Sequence, residues 1–174
     1  SLIPLLTPLL PTFETVRHLV VVGVDPAQVD APDGIEVLGY EDLLAGRPEE
    51  FDWPELDERS AAAMCYTSGT TGDPKGVVYS HRSIYLHSMQ GCMTDAMALA
   101  QSDTVLAIVP MFHAMSWGLP YSALMVGASL IMPDRFLQPG PLAEMMSTLH
   151  PTAAAAVPTI WQALLAHLDE HPAD

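Results

Sequence analysis

At 174 residues the chain suits one domain or a large part of one, and with 49% apolar residues it can build a core and is poorly described as disordered. Its formal charge of −15, from six basic and 21 acidic residues, argues against nucleic acid or an anionic membrane as partner, since both demand a cationic surface. No segment runs far enough without polar residues or proline to span a bilayer. The two cysteines, Cys65 and Cys92, lack metal-ligand spacing. They read as buried free thiols in a reducing compartment, so a cytoplasmic location is expected.

In chain order, the apolar run Leu2 to Leu10 is broken by Pro4 and Pro8, with Pro11 following. It has no charged leader or small-residue cleavage site, which argues against a signal peptide. The first residue is Ser1, in keeping with a chain that begins partway through a longer one. Leu19 to Val24 reads as a buried strand. Residues 25 to 60 are acidic and proline-punctuated, and read as loops around a short helix near Glu41 to Ala45. Ala62 to Tyr66 reads as a strand entering a Thr/Ser/Gly loop. Ser80 or Ser83 caps a helix expected to run to about Ala100. Thr104 to Val109 is a continuous apolar strand. Met115 to Val126 is helical in pattern, interrupted at Gly118 and Pro120. A strand at Ser129 to Met132, a helix at Pro139 to Leu149, a strand at Ala153 to Val157 and a helix at Thr159 to Leu168 complete the chain. Strands alternating with helices predict an α/β fold with a mainly parallel sheet and flanking helices.

The loop reads Tyr66-Thr67-Ser68-Gly69-Thr70-Thr71-Gly72-Asp73-Pro74-Lys75-Gly76. A triphosphate is a dense cluster of negative charge, met by backbone N–H groups, hydroxyl donors and a cation. Glycines at positions 69, 72 and 76 let backbone approach phosphate without a Cβ in the way. Thr67, Ser68, Thr70 and Thr71 place four hydroxyls within five residues, and Lys75 is the only lysine in the chain. A Walker A loop would need Gly at position 74 and Ser or Thr at 76. Pro74 and Gly76 stand there, so this is a phosphate loop of another kind. The bland alternative is a flexible surface turn rich in small residues.

This string resembles the signature of the adenylate-forming superfamily, which includes acyl-CoA synthetases, luciferases and amino-acid adenylation domains. Every fixed position of [Tyr/Phe]-Thr-[Ser/Thr]-Gly-[Ser/Thr]-Thr-Gly-x-Pro-Lys-Gly is met. A second stretch, Pro110-Met111-Phe112-His113-Ala114-Met115-Ser116-Trp117-Gly118-Leu119-Pro120-Tyr121, follows a strand, where α/β folds open toward ligands. By itself it reads as core packing, the commoner fate of Met, Phe and Trp. Beside the first motif it resembles the acyl-CoA synthetase version of the superfamily's next motif, and Trp117-Gly-Leu-Pro-Tyr looks like the bacterial medium- and long-chain fatty acyl-CoA ligases. Ala156 to Trp161 is a weaker match to the strand-to-helix segment near the acyl pocket, and Thr159 as a helix cap accounts for it as well.

The resemblance implies ATP-dependent activation of a fatty acid to acyl-AMP and then acyl-CoA, with ATP, CoA and the acid as small-molecule partners and Mg²⁺ as cofactor. It implies that Thr67, Ser68, Gly69, Thr70, Thr71, Gly72 and Lys75 bind the ATP phosphates, with Thr70 and Lys75 catalytic and Thr70 a ligand to Mg²⁺ beside a Glu beyond Asp174. His113 would wall the acyl-adenylate pocket and Trp117 would gate the acyl tunnel. The Tyr-Gly-x-Thr-Glu motif, a ribose-binding Thr-Gly-Asp other than the Thr71-Gly72-Asp73 inside the loop, and the C-terminal lid domain do not occur in these residues. The chain therefore reads as a fragment of the N-terminal AMP-binding domain, inactive alone and prone to self-associate, from a parent for which the resemblance implies a homodimer, as in some such ligases. The competing readings are a non-catalytic module that keeps the loop, and an aryl-CoA ligase or luciferase-like relative.

Overall fold

The computed structural model describes residues 2–67 and 72–172. The chain divides into two compact units, Ser1–Pro54 and Glu55–Asp174.

In the first unit the prolines break the apolar run as expected. It forms a short helix, α1 (Ile3–Leu6), and a 3₁₀ segment, Thr7–Thr12, of which Leu10 is buried. Strand β1 (His18–Val21) pairs in parallel with β2 (Glu36–Gly39), in the register His18 to Glu36 through Val21 to Gly39. The sequence reading missed β2, since only Val37 and Leu38 carry an apolar signal there. Helix α2 (Tyr40–Leu44) follows, with Glu41 and Asp42 in its first turn, where acidic groups suit the helix dipole.

The second unit opens with a hairpin. Strands β3 (Ala61–Thr67) and β4 (Lys75–Ser80) pair antiparallel, with Tyr66 opposite Gly76 and Thr67 opposite Lys75. Helix α3 (His81–Cys92) is capped by Ser80, whose Oγ accepts from the Ser83 N–H at 3.1 Å, while Ser83 Oγ returns a bond to the Ser80 carbonyl at 2.9 Å. It ends well before Ala100: Gly91 weakens its last turn and Met93 swings to ψ 149°.

Strand β5 (Thr104–Ala107) lies between β6 (Ser129–Ile131) and β7 (Ala153–Ala155), parallel to both. The chain from β5 to β6 carries a single turn, α4 (Ala114–Trp117), and helix α5 (Leu119–Val126). Helix α6 (Pro139–Leu149) links β6 to β7, and α7 (Pro158–Glu170) follows. Alternation along β5 and beyond decides the layers. Val105 and Ala107 pack with Leu99, Leu119 and Ala123 on one side. Leu106 and Ile108 pack with Leu142, Ala156 and Leu164 on the other. Helix α5 thus covers one face of the sheet and α6 with α7 the other, the expected α/β layering. Thr159 does not cap α7. Pro158 opens the helix and holds the preceding Val157 extended, at ψ 153°, which makes Val157 the boundary residue. Among the described residues no helix is long and apolar enough to cross a membrane. Both cysteines are free, Cys65 buried and Cys92 partly so.

Helices α3 and α5 pack through small residues. A Cβ at Gly91 would sit 2.8 Å from Ser122 Oγ, so only glycine allows this approach. Ser122 Oγ donates to the Ser88 carbonyl at 3.3 Å, and Cys92 Sγ lies 3.6 Å from the Ser122 carbonyl.

The start of β5 is tied by Asp103. Its Oδ1 accepts from Thr152 Oγ1 at 2.7 Å and its Oδ2 from the Ala100 N–H at 2.7 Å. Thr152 Oγ1 in turn accepts from the Thr104 N–H at 3.0 Å. The Thr152 hydroxyl first, and the Ala100 amide second, hold the Asp103 carboxyl below its ordinary value of 3.8. A carboxylate depressed in the folded state adds stability above its unfolded value, and that stability is lost as pH falls through the folded one. Asp103→Asn is therefore expected to lower the thermal midpoint at neutral pH, and the gap from wild type should close as pH falls below 3.8. Thermal melts across that range check it.

Candidate functional site

The hydroxyl-rich motif is held at both ends by the β3–β4 hairpin. The Thr67–Lys75 pair is the last rung of the ladder, so the segment between them leaves and re-enters the sheet at one place. Thr67 and Lys75 are both exposed. Thr67 Oγ1 makes a long contact, 3.5 Å, to the Lys75 carbonyl. Among the described residues no carboxylate pairs with the Lys75 ammonium, which leaves it available to an anion. Gly72 has φ +147°, in the region that favours glycine. Gly76 serves the ladder differently: a Cβ there would stand 2.9 Å from Met64 Sδ. Ser68, Gly69, Thr70 and Thr71 lie outside the described residues.

The second motif continues the buried central strand. Ile108 and Val109 remain buried past the end of β5, and the chain then turns out at Pro110. Two cavities flank this exit at the carboxyl end of the sheet. One of about 280 Å³ is lined by His113 with Phe112, Leu137, Val157 and Ile160, and is almost wholly apolar. The other, about 370 Å³, lies between the ends of β5 and β6 and is lined by Met111, Met132 and Pro133 among others. Ligands of open α/β sheets collect at this end.

After His113 the backbone does something the sequence pattern does not announce. Ala114, Met115, Ser116, Trp117 and Gly118 all have positive φ, at 46°, 53°, 56°, 54° and 74°. The α4 turn is thus wound left-handed, where a right-handed start to the following helix was expected. Each non-glycine residue in that conformation costs about 1–2 kcal/mol. Hydrogen bonds hold it in place. Ser116, fully buried, donates from Oγ to the Val109 carbonyl at 2.5 Å. The Gly118 N–H donates to the Met115 carbonyl at 3.0 Å. From α3, His87 Nε2–H donates to the Trp117 carbonyl at 3.0 Å. Trp117 keeps 37% of its surface exposed. It is not one of the residues lining the cavity beside His113.

The chain matches the family of AMP-binding enzymes over residues 7–174. It belongs to that family. Among its relatives, the medium-chain-fatty-acid–CoA ligase of Ectopseudomonas oleovorans is 48% identical over 130 residues, covering 75% of this chain and 24% of that protein. The long-chain-fatty-acid–CoA ligase of Thermus thermophilus is 43% identical over 169 residues, 97% of this chain and 29% of that one. Among solved structures, the anthranilate CoA ligase AuaEII in complex with anthranoyl-AMP superposes with a TM-score of 0.79 at 25% identity, over 95% of this chain and 31% of that one. The chain thus spans about a quarter to a third of the proteins it matches.

Of the residues read from the sequence, Thr67 and Lys75 stand side by side at the mouth of the hairpin. His113 faces an apolar cavity at the sheet's carboxyl end, and Trp117 rides on the left-handed turn. Strand β4 was missed, although Val77-Val78-Tyr79 is a β-branched and aromatic run that could have marked it. His87 and Ser116 were missed as well, since their partners lie 30 and seven residues away.

Mg²⁺ takes oxygen ligands and keeps several waters. Among the described residues no group of three or more His, Cys, Asp or Glu side chains could hold a metal ion. A hydroxyl such as that of Thr70 has the right donor chemistry, but it lies outside the described residues.

Gly118 is required twice over. Its φ is +74°, and a Cβ there would sit 2.5 Å from His87 Cδ2 and 2.9 Å from Nε2. Gly118→Ala is expected to destabilise the protein by more than about 1 kcal/mol, read from the denaturant midpoint.

Proposed function

We propose that residues 1–174 are part of the N-terminal AMP-binding domain of a longer fatty-acid–CoA ligase, and that the segment Thr67 to Gly76 grips the triphosphate of ATP. The observation that carries this reading is the pairing of Thr67 with Lys75 at the exposed mouth of the hairpin. The strand register brings a hydroxyl and the chain's only lysine together at the two ends of a segment rich in hydroxyls and glycine.

In such a ligase the acid's carboxylate attacks the α-phosphorus of ATP, giving acyl-AMP and pyrophosphate. The CoA thiol then attacks the acyl carbon and releases AMP, giving the thioester. The first step brings two anions together, so its barrier is largely electrostatic. Lys75 lowers it by placing a fixed ammonium against the β- and γ-phosphates. The hydroxyls of Thr67, Ser68, Thr70 and Thr71 donate to the same oxygens and hold the pyrophosphate as it leaves. Bound Mg²⁺ would add further charge neutralisation, with Thr70 supplying one oxygen and a carboxylate outside these residues another. No acidic side chain lines the cavity that His113 walls. It suits the hydrocarbon portion of an acid and offers nothing to an ammonium group. Trp117, four residues beyond His113 in the same motif and outside the lining of that cavity, gates the acyl tunnel.

The test is acid-dependent exchange between ATP and pyrophosphate in the intact protein, across a series from short to long fatty acids with aryl acids included. Activity highest on medium or long chains is expected; activity confined to aryl acids, or none on any acid, would count against the reading. Lys75→Ala should slow the exchange on the order of 10²-fold, the usual effect of losing one preorganised group aimed at developing charge. Trp117→Ala should leave the rate on the best acid largely intact and redistribute activity along the series. A flat response to Trp117→Ala would remove its assigned role.

A further inference from the structure

We propose that His87, on a different helix from the second motif, sets the position of Trp117 and thereby the acyl-chain preference of the enzyme. This inference rests on the reading of Trp117 given above. Its structural part stands by itself.

The backbone under a tryptophan gate matters because φ and ψ decide which side-chain rotamers the indole can adopt. At Trp117 that backbone is left-handed, a conformation the residue does not favour alone. The bonds from Ser116 to Val109 and from Gly118 to Met115 run within residues 109 to 118. They shape the turn and tie it back to the exit of β5, but not to α3. The His87 bond to the Trp117 carbonyl does anchor it, to α3. The imidazole also packs directly on Gly118, so closely that a methyl there would overlap both Cδ2 and Nε2. One ring therefore holds the peptide unit between Trp117 and Gly118 by a hydrogen bond and by contact.

The placement of that ring is itself determined. His87 adjoins Ser88, whose carbonyl accepts from Ser122, and it lies about one turn before Gly91, whose missing side chain admits Ser122. The α3–α5 interface thus fixes the height and rotation of α3, and with them the imidazole over the turn. Losing the ring removes the anchor while leaving the strand-side tethers in place. The turn should persist, but the indole should no longer be held in one position.

The experiment uses the intact protein labelled with 5-fluorotryptophan, with the Trp117 ¹⁹F resonance assigned by its loss in Trp117→Phe. His87→Ala is expected to shift or split that resonance. His87→Gln, whose amide N–H can replace the Nε2 donor, is expected to restore most of it. In parallel, His87→Ala should change the ratio of kcat/KM for a medium-chain over a long-chain acid by about tenfold, with His87→Gln close to wild type. A Trp117 resonance unchanged in His87→Ala would overturn the proposal. So would an unchanged chain-length ratio in an enzyme that does use fatty acids. A wild-type protein inactive on every fatty acid would defeat the fatty-acid reading instead, and the ¹⁹F comparison would still decide whether His87 positions the indole.

Discussion

Strand β5 has no solvent face: Val105 and Leu106 are fully buried, and burial continues through Val109. A backbone enclosed on both sides can turn only where the covering layers end, which here is Pro110. That constraint puts the second motif at the carboxyl end of the sheet and opens a cavity on each side of it. It also supplies the buried carbonyl of Val109, which accepts the Ser116 hydroxyl and starts the left-handed turn. Trp117 takes its place from that chain of causes, with α3 closing it from the other side through His87.

The hairpin follows a different logic. The β3–β4 hairpin is largely exposed, with Met64, Tyr66 and Val78 each more than half accessible. Its stability comes from the ladder and from cross-strand pairs such as Met64 with Val78, more than from burial. That exposure fits the proposed grip on a solvated polyanion, since neither Lys75 nor Thr67 has been withdrawn from solvent. On the proposed reading, a rigid buried strand would serve the acid, and the exposed hairpin ends at Thr67 and Lys75 would serve the nucleotide.

Much of this was legible in the sequence because the relevant signals are local. The continuous apolar run gave β5, the helix from Pro139 to Leu149 emerged with the expected bounds, and Ser80 capped α3 as anticipated. The family motif at Tyr66 to Gly76 was identifiable because its residue types stand in a fixed order. What escaped had non-local causes. Strand β4 has a local signal in Val77-Val78-Tyr79, but Gly76, a poor strand former, blurs its start, which pairing with β3 sets. Helical spacing through residues 114 to 117 says nothing about the hand of the turn, which a buried serine and a histidine on another helix decide. Thr159 looked like a cap by type, but Pro158 had already determined where the helix starts.

The central claim, that Thr67 to Gly76 holds the triphosphate, is tested most directly by a crystal structure of the intact protein with ATP and Mg²⁺. The account predicts the β- and γ-phosphate oxygens within hydrogen-bond reach of the Lys75 ammonium and of the threonine and serine hydroxyls beside it. A triphosphate bound elsewhere, with Lys75 still facing solvent, would contradict it.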